Sequence, residues 1–423
     1  MTSDQRGRIR QTLAPEGKVY YGWWIVLASG GLQMLGSLLW MQSFGAYMVL
    51  LQRDFGWSKT LVSGAFSLTR IESGILGPLQ GWLVDRFGPR LILRIGIVLF
   101  GLGFFWLSRI ETIIGFYGAI ILIALGSSLG GFATLMVSLV NWFNRHRAKA
   151  IALSQLGYSL GGLLVPVVIV ALNVYGWRDT AFVSGLIVMF VGLPLVQLVS
   201  HRPEDRGEVI DGSVQNEQQA AAEVARLKTD FTARQAMRTR AFWLISIGHA
   251  IALLTVSAVM VHLVPHLIES LDYSMGKASI FVAIMTATQM AGQMMGGYLG
   301  DRLNKRYICV ACMVGHFIGL MLLAYAVNEL MVVAFAVIHG FAWGARGPLM
   351  VALRADYFGS TSFGTIMGFS SLIVMLGMSG GPLFAGMAAD YFGAYQPGLA
   401  ILATTALLGC FCFLAASPPV LRD

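Results

Sequence analysis

"GWLVDRFGPR" at residues 81–90 returns as "GYLGDRLNKR" at residues 297–306. Asp85 aligns with Asp301, Arg86 with Arg302 and Arg90 with Arg306, without a gap, at an offset of 216 in a chain of 423 residues. A repeat at half the chain length means that one folding unit is written twice. A fainter echo joins "NWFNRHRAKAIA" (141–152) to "DYFGSTSFGTIM" (356–367). What kind of unit is repeated follows from the sequence around these charged loops.

Only 12% of the residues are charged and 56% are hydrophobic, with 50 glycines and 21 methionines. A soluble domain carries about 25% charged residues. Apolar runs of about 20 residues recur along the chain, each long enough to cross about 30 Å of hydrocarbon. Read between charged or turn-rich breaks, they give twelve spans. Six lie near 22–51, 59–84, 91–108, 113–140, 149–174 and 179–199, and six near 241–268, 276–300, 307–327, 330–353, 362–387 and 395–416. The expected fold is an all-α membrane protein of two pseudo-symmetric six-helix bundles, 21–199 and 241–416. A polar linker, 200–240, joins them, and short tails, 1–20 and 417–423, flank them. The linker's middle, "EQQAAAEVARLK" (217–228), reads as a surface helix rather than a domain. Two copies of the D-R loop then each close the second helix of their bundle.

Charge fixes the expected orientation. Of the 29 Lys and Arg, Arg53, Lys59, Arg109, Arg178 and Lys277 fall on one side, Arg70 and Arg346 lie within spans, and all others fall on the opposite side. By the positive-inside rule both termini are expected to be cytoplasmic, in the cell membrane. The formal charge of +8 is therefore topology and not a nucleic-acid footprint. Residues 1–18 are polar and basic, and the first apolar run is too long for a cleaved leader. Cys309, Cys312, Cys410 and Cys412 all sit in apolar runs and read as small buried residues, with no metal cluster. The methionines read as packing residues. No phosphate-cradling G-x-x-x-x-G-K-[ST] loop is present, so direct coupling to ATP is not expected, and neither is a cofactor. No nucleophile–base pair suggests an enzyme.

The loop G-x-L-x-D-R-x-G-x-R between the second and third spans resembles the signature of the major facilitator superfamily, and the resemblance covers nearly the whole chain. "YYGWWIV" (20–26), "SFGAYMVLLQRDFGWSKTLVSGAFSL" (43–68) and "NWFNRHRAKAIALSQLG" (141–157) resemble its monocarboxylate-porter and oxalate:formate-antiporter branch. In the last stretch Trp142, Phe143, Arg145, Arg147, Ala150, Ala152, Ser154 and Gly157 follow that branch's pattern of aromatics, cations and small residues. The resemblance implies alternating access, with Asp85, Arg86, Arg90, Asp301 and Arg302 as a charged latch. The chain also departs from the branch. The Asp and Arg usual in the eighth helix are replaced by Gln289 and Gln293, and the eleventh span holds no lysine.

Arg346, in "HGFAWGARGPLM" (339–350), falls near the middle of the tenth span. A central Arg costs about 2.5–3.5 kcal/mol on insertion scales, so it should face a partner or a wet cavity. His339, Trp343 and Arg346 are spaced i, i+4, i+7 and share one helix face. The three read as a carboxylate site, and the competing reading gives Arg346 to main-chain carbonyls freed by Gly344, Gly347 and Pro348. Glu72 is the only acidic side chain deep in a span and reads as the proton-coupling group, against a fixed bridge to an arginine. Arg70, two residues away, points elsewhere and reads as structural. Tyr47, Tyr158, Gln289 and Gln293 are candidate hydrogen-bonding contacts for a substrate. His249 lies early in the seventh span, His262 and His266 share a face at its outer end and read as solvated or gating groups, and His316 reads as peripheral.

The expected function is a secondary transporter, monomeric, carrying a small organic anion such as a monocarboxylate and coupled to protons. Two alternatives stay open: efflux of an amphipathic drug-like compound, suited to a cavity rich in Met, Phe and Trp, and a non-transporting membrane sensor or scaffold.

Overall fold

A computed structural model describes residues 19–57, 59–212 and 230–420, apart from the side chains of 49, 59–64, 66, 67, 70, 71, 275 and 276. The outer parts of both tails, the middle of the linker with its expected surface helix, and the Arg70 side chain lie outside the described residues.

In the first half α1 (Gly22–Gly36) passes into a π turn, Ser37–Met41, and α2 (Phe44–Phe55) completes the first span. α3 (Lys59–Phe87) and α4 (Pro89–Leu107) follow. The fourth span is broken, into α5 (Ile113–Leu129) and α6 (Phe132–Trp142). α7 (Arg147–Leu163) and α8 (Val165–Leu198) hold the fifth and sixth spans. Gly176, at φ 79° and ψ 170°, interrupts α8 with a backbone that a side chain would resist. There the fifth span ends and the sixth begins.

The second half is more regular: α9 (Arg240–Leu271), α10 (Met275–Gly300), α11 (Lys305–Ala324), α12 (Glu329–Phe358), α13 (Phe363–Phe392) and α14 (Tyr395–Ala415). Helix starts follow local chemistry. Thr239, Ser274, Asn304 and Asn328 each accept a main-chain N–H of the first turn, which satisfies donors that the helix itself leaves orphaned.

Nine stretches of the described residues are long and apolar enough to cross a membrane. One of them, Arg147–Leu198, holds two crossings, on either side of Gly176. The more polar α3 and α10, which carry Glu72 and Gln289 with Gln293, bring the number to twelve. Apolar side chains such as Phe190, 75% exposed, and Phe411, 66% exposed, cover the outside, as lipid requires.

The chain forms two compact units, Met1–Asp230 with Ser360–Gly368, and Phe231–Gly359 with Phe369–Asp423. Each is held by glycine-mediated helix contacts. In the first unit a Cβ on Gly157 would overlap the Gly30 carbonyl, which brings α1 against α7. In the second, Gly292, Gly296 and Gly344 press α10 and α12 together so closely that a methyl group at any of them would overlap facing backbone.

Two of the family-like stretches meet in the first unit. The Tyr20 hydroxyl donates to the Trp142 carbonyl at 2.7 Å, and the Tyr20 ring lies 5.6 Å from that of Phe143. Trp142 Nε1 in turn donates to the Ser200 carbonyl at 3.1 Å, which closes the unit at the end of α8.

The repeat is also structural. Arg90 Nε donates to the carbonyl of Val199, the residue that ends α8, at 2.7 Å. Arg306 Nη1 donates to the carbonyl of Ala416, the residue that ends α14, at 3.2 Å. In each half, the arginine that closes the D-R loop caps the carboxyl end of the sixth span, where a cation suits the helix dipole.

Candidate functional site

The interior of the second unit is cationic. Arg346 is 1% exposed on α12, and its Nε and Nη1 have no hydrogen-bond partner among the described residues. Its electrostatic neighbours are thiols, imidazoles and another guanidinium: Cys309, Cys312, His316, His339 and Arg354. Cys309, Cys312 and His316 lie on α11, and neither Nε nor Nη1 bonds a main-chain carbonyl among the described residues.

His339 is fully buried, with Nδ1 3.1 Å from Nδ1 of His316 on α11. Nε2 of both rings is buried without a partner among the described residues. His316 is thus internal, not peripheral, because α11 packs on α12 and brings it against the predicted face. Trp343 is half-buried and lies against the apolar core of the unit. Gln289 and Gln293 are buried on α10, where the Gln289 carbonyl meets Gly344.

Arg354 is a functional candidate that sequence reasoning missed. It looked like a loop charge after a span ending at 353, but α12 runs on to Phe358 and buries it to 1% exposure. Its Nη1 donates to the Met350 carbonyl at 2.8 Å. Its Nη2 meets His249 Nδ1 at 3.1 Å and the Ser370 hydroxyl at 2.8 Å. Among the described residues neither buried guanidinium is hydrogen-bonded to a carboxylate.

In the first unit Glu72 is partly buried. Ser73 Oγ donates to its Oε2 at 3.1 Å, and Oε1 is buried without a partner among the described residues. The Tyr47 hydroxyl lies beside Ser184 but closes no hydrogen bond of ordinary geometry. Tyr158 is 37% exposed, and its carbonyl accepts from Ser37 Oγ at 2.7 Å. The break in the fourth span falls at Gly130–Gly131, and Gln80 of α3 fills it. Gln80 Nε2 donates to the Ser128 carbonyl at 2.6 Å and to Thr134 Oγ1 at 3.1 Å, and Ser128 Oγ donates back to Gln80 Oε1 at 3.1 Å. A broken membrane helix is tolerated only where such partners satisfy its backbone. The glycine pair that closes "GSSLGG" (126–131) marks the place in the sequence but does not by itself show that the span breaks there.

Asp85 meets a helix start. Its Oδ1 accepts the Gly364 N–H at 2.9 Å, and its Oδ2 accepts the Thr365 N–H at 2.8 Å and the Thr365 hydroxyl at 2.7 Å, all within the first unit. A carboxylate on orphaned N–H groups at the positive end of α13 is favourable on both counts. Arg86 lies 5.6 Å from the centre of the Trp82 ring. In the second copy Asp301 ends α10, while Arg302 stacks on Tyr298 at 3.8 Å and donates to its hydroxyl.

His262 Nε2 lies 2.9 Å from the Pro382 carbonyl, and the buried His266 Nε2 lies 3.1 Å from that of Leu323, so both are tied into the second unit's backbone. The expectation of solvated histidines is corrected for His266, which is 2% exposed because α11 ends against it.

A repeated bundle of apolar helices, with buried charge and glycine-packed crossings, is the build of a multi-pass membrane transporter rather than an enzyme. The family model of the Major Facilitator Superfamily matches residues 25–274 and 245–423, and the chain belongs to that superfamily. It is 23% identical over 338 residues to the oxalate:formate antiporter of Oxalobacter formigenes, covering 77% of this chain and 75% of that one. It is 27% identical over 195 residues to the uncharacterized MFS-type transporter YcxA of Bacillus subtilis (strain 168), a match spanning 45% of this chain and 47% of that protein. Among solved structures, the proton:xylose symporter XylE superposes with a TM-score of 0.73 at 18% identity, covering 94% of this chain and 96% of that one, which shows the shared fold.

Proposed function

We propose that the chain is a secondary carrier of a small organic anion of the monocarboxylate class. It works by alternating access as a monomer in the cell membrane, with both termini cytoplasmic. The observation that carries this reading is Arg346: a guanidinium buried in a membrane bundle with Nε and Nη1 unspent. Such a cation is costly without a counter-charge, and a carboxylate supplies both the charge and the acceptors. Arg354 adds a second buried positive charge to the same unit, which favours a negative guest further. The resemblance to an oxalate:formate antiporter along three quarters of the chain agrees with that class.

The proton is assigned to Glu72, whose buried, unpartnered Oε1 is where a carboxyl proton would reside. Asp85, with Arg86, Arg90, Asp301 and Arg302, forms the latch that steadies one state of the cycle. In the second unit Gln289 and Gln293 on α10, with His339 and Trp343 on the helix that carries Arg346, are polar contacts offered to the substrate, and in the first unit Tyr47 and Tyr158 are candidates for the same role.

The test is a thermal-stabilisation screen of the purified protein with formate, acetate, lactate and oxalate, followed by flux measurements in proteoliposomes. Stabilisation by a carboxylate is expected in the wild type and in Glu72→Gln, and is expected to disappear in Arg346→Ala. Glu72→Gln is expected to remove the dependence of flux on a proton gradient. Stabilisation that survives Arg346→Ala removes that residue from the site, and hits confined to neutral or cationic amphipathic compounds favour efflux instead.

A further inference from the structure

Near each described end of the linker, 200–212 and 230–240, an aspartate grips main-chain donors. Asp211 Oδ2 accepts the Arg145 N–H at 2.8 Å, and its carboxylate also takes the N–H groups of Asn144 at 3.2 Å and His146 at 3.5 Å. Asp230 Oδ2 accepts the N–H of Ser360 at 2.9 Å, the N–H of Thr361 at 3.0 Å and the Thr361 hydroxyl at 2.8 Å. In the fainter repeat, 141–152 against 356–367, Arg145 aligns with Ser360 and His146 with Thr361. The loops before α7 and α13 are therefore capped in the same way by the two ends of one linker. Asp211 takes this position at φ 60°, in the left-handed region that aspartate tolerates better than most residues with a side chain.

The α13 end carries a second grip. Asp230 holds Ser360 and Thr361, and Asp85 holds Gly364 and Thr365 about one helical turn further on. All of these contacts belong to the first unit, yet α13 continues into the second. We propose that Asp230 is a positioning residue of the transport cycle: with Asp85 it makes a two-carboxylate clasp on the amino end of α13, and the two grips are taken and released together. Gly364 and Thr365 lie in the first turn of α13, and Ser360 and Thr361 lie in the turn that leads into it, tied to the helix by the Phe363 N–H on the Ser360 carbonyl at 3.4 Å, so a movement that draws one pair out of reach draws on the other. Asp211, which grips the corresponding turn before α7, is the reference. The proposal rests on the transporter class and not on the identity of the substrate.

The experiment is residue-resolved hydrogen exchange on the full-length protein in nanodiscs, with no substrate added. Asp230→Ala is expected to speed exchange about tenfold at Gly364 and Thr365, which it does not touch, as well as at Ser360 and Thr361. Asp85→Ala is expected to do the reverse, speeding exchange at Ser360 and Thr361, because coupling between two sites is reciprocal. Asp230→Asn, which keeps an acceptor oxygen, should restore most of the protection, and Asp211→Ala should affect only Asn144 to His146. A merely local cap would move Ser360 and Thr361 alone in Asp230→Ala, and that result overturns the proposal. Should Asp230→Ala not fold, the Asp85→Ala arm reads the same coupling, and no response at Ser360 and Thr361 there is equally fatal.

Discussion

The Nδ1 atoms of His316 and His339 stand 3.1 Å apart, with the rings inclined at 62° and both side chains fully buried. One ring must donate and the other accept, so one proton lies between the two helices. Truncating either member leaves the other as a buried, unsatisfied imidazole. His316→Ala is expected to destabilise the purified protein by about 1–3 kcal/mol, read as a lowered melting temperature. The double variant His316→Ala/His339→Ala should cost less than the two single changes together, since the second removes a group the first had orphaned. Strict additivity would show that the two rings do not depend on one another.

The contact between α10 and α12 makes a sharper prediction. A Cβ at position 344 would overlap the Gln289 carbonyl, and neither group is the free end of a flexible side chain. Gly344→Ala should therefore force the helices apart and cost 3 kcal/mol or more, on the order of severe overpacking. Gly36 is the control, because its Cβ would meet nothing within 4 Å. There the gain in helix propensity should stabilise by up to about 1 kcal/mol. Equal effects at the two glycines would refute backbone contact as the reason for Gly344.

The crossings were legible in the sequence because a bilayer demands runs of about 20 apolar residues, and the duplicated D-R loop revealed the two-fold build. Arg346 and His339 were legible as one face because helical spacing alone places i and i+7 together. What periodicity cannot carry is which neighbouring helix meets that face. His316 and His249 join the cationic interior only because α11 and α9 pack on α12, and Arg354 was hidden because a charge near an expected span end reads as a loop. The broken fourth span was masked for the converse reason: residues 113–140 stay apolar straight through Gly130 and Gly131, and the partner that fills the gap, Gln80, comes from another helix.

Gln80 should therefore matter more than an ordinary polar residue on a membrane helix. It is 5% exposed and answers both the Ser128 carbonyl and the Thr134 hydroxyl at the break. Gln80→Leu keeps much of the volume but strips these partners, and should cost about 2–3 kcal/mol, as expected when buried polar groups lose their hydrogen bonds. Gln80→Glu retains the acceptor for Ser128 Oγ yet sets a carboxyl against the Ser128 carbonyl, so it should recover little. The measurement is thermal unfolding of the purified variants, and a Gln80→Leu protein as stable as wild type would mean that the break satisfies itself.

The matched caps test whether the repeat is still functional in both halves. Arg90 holds the carbonyl that ends α8 and Arg306 the carbonyl that ends α14, whereas Arg302, among the described residues, reaches the ring and hydroxyl of Tyr298 on the preceding turn. A guanidinium on a helix-terminal carbonyl gains both a charge-assisted hydrogen bond and the dipole, so Arg90→Ala and Arg306→Ala should each cost about 1 kcal/mol. Arg302→Ala, which removes a surface contact, should stay within about 0.5 kcal/mol of wild type. Hydrogen exchange then locates the damage: Arg90→Ala should expose the last turn of α8 and leave α14 protected, and Arg306→Ala should do the opposite. If Arg302→Ala proves as costly as Arg306→Ala, or if either cap variant loosens both helix ends alike, the arginines act through general surface charge and not through the carbonyls they touch.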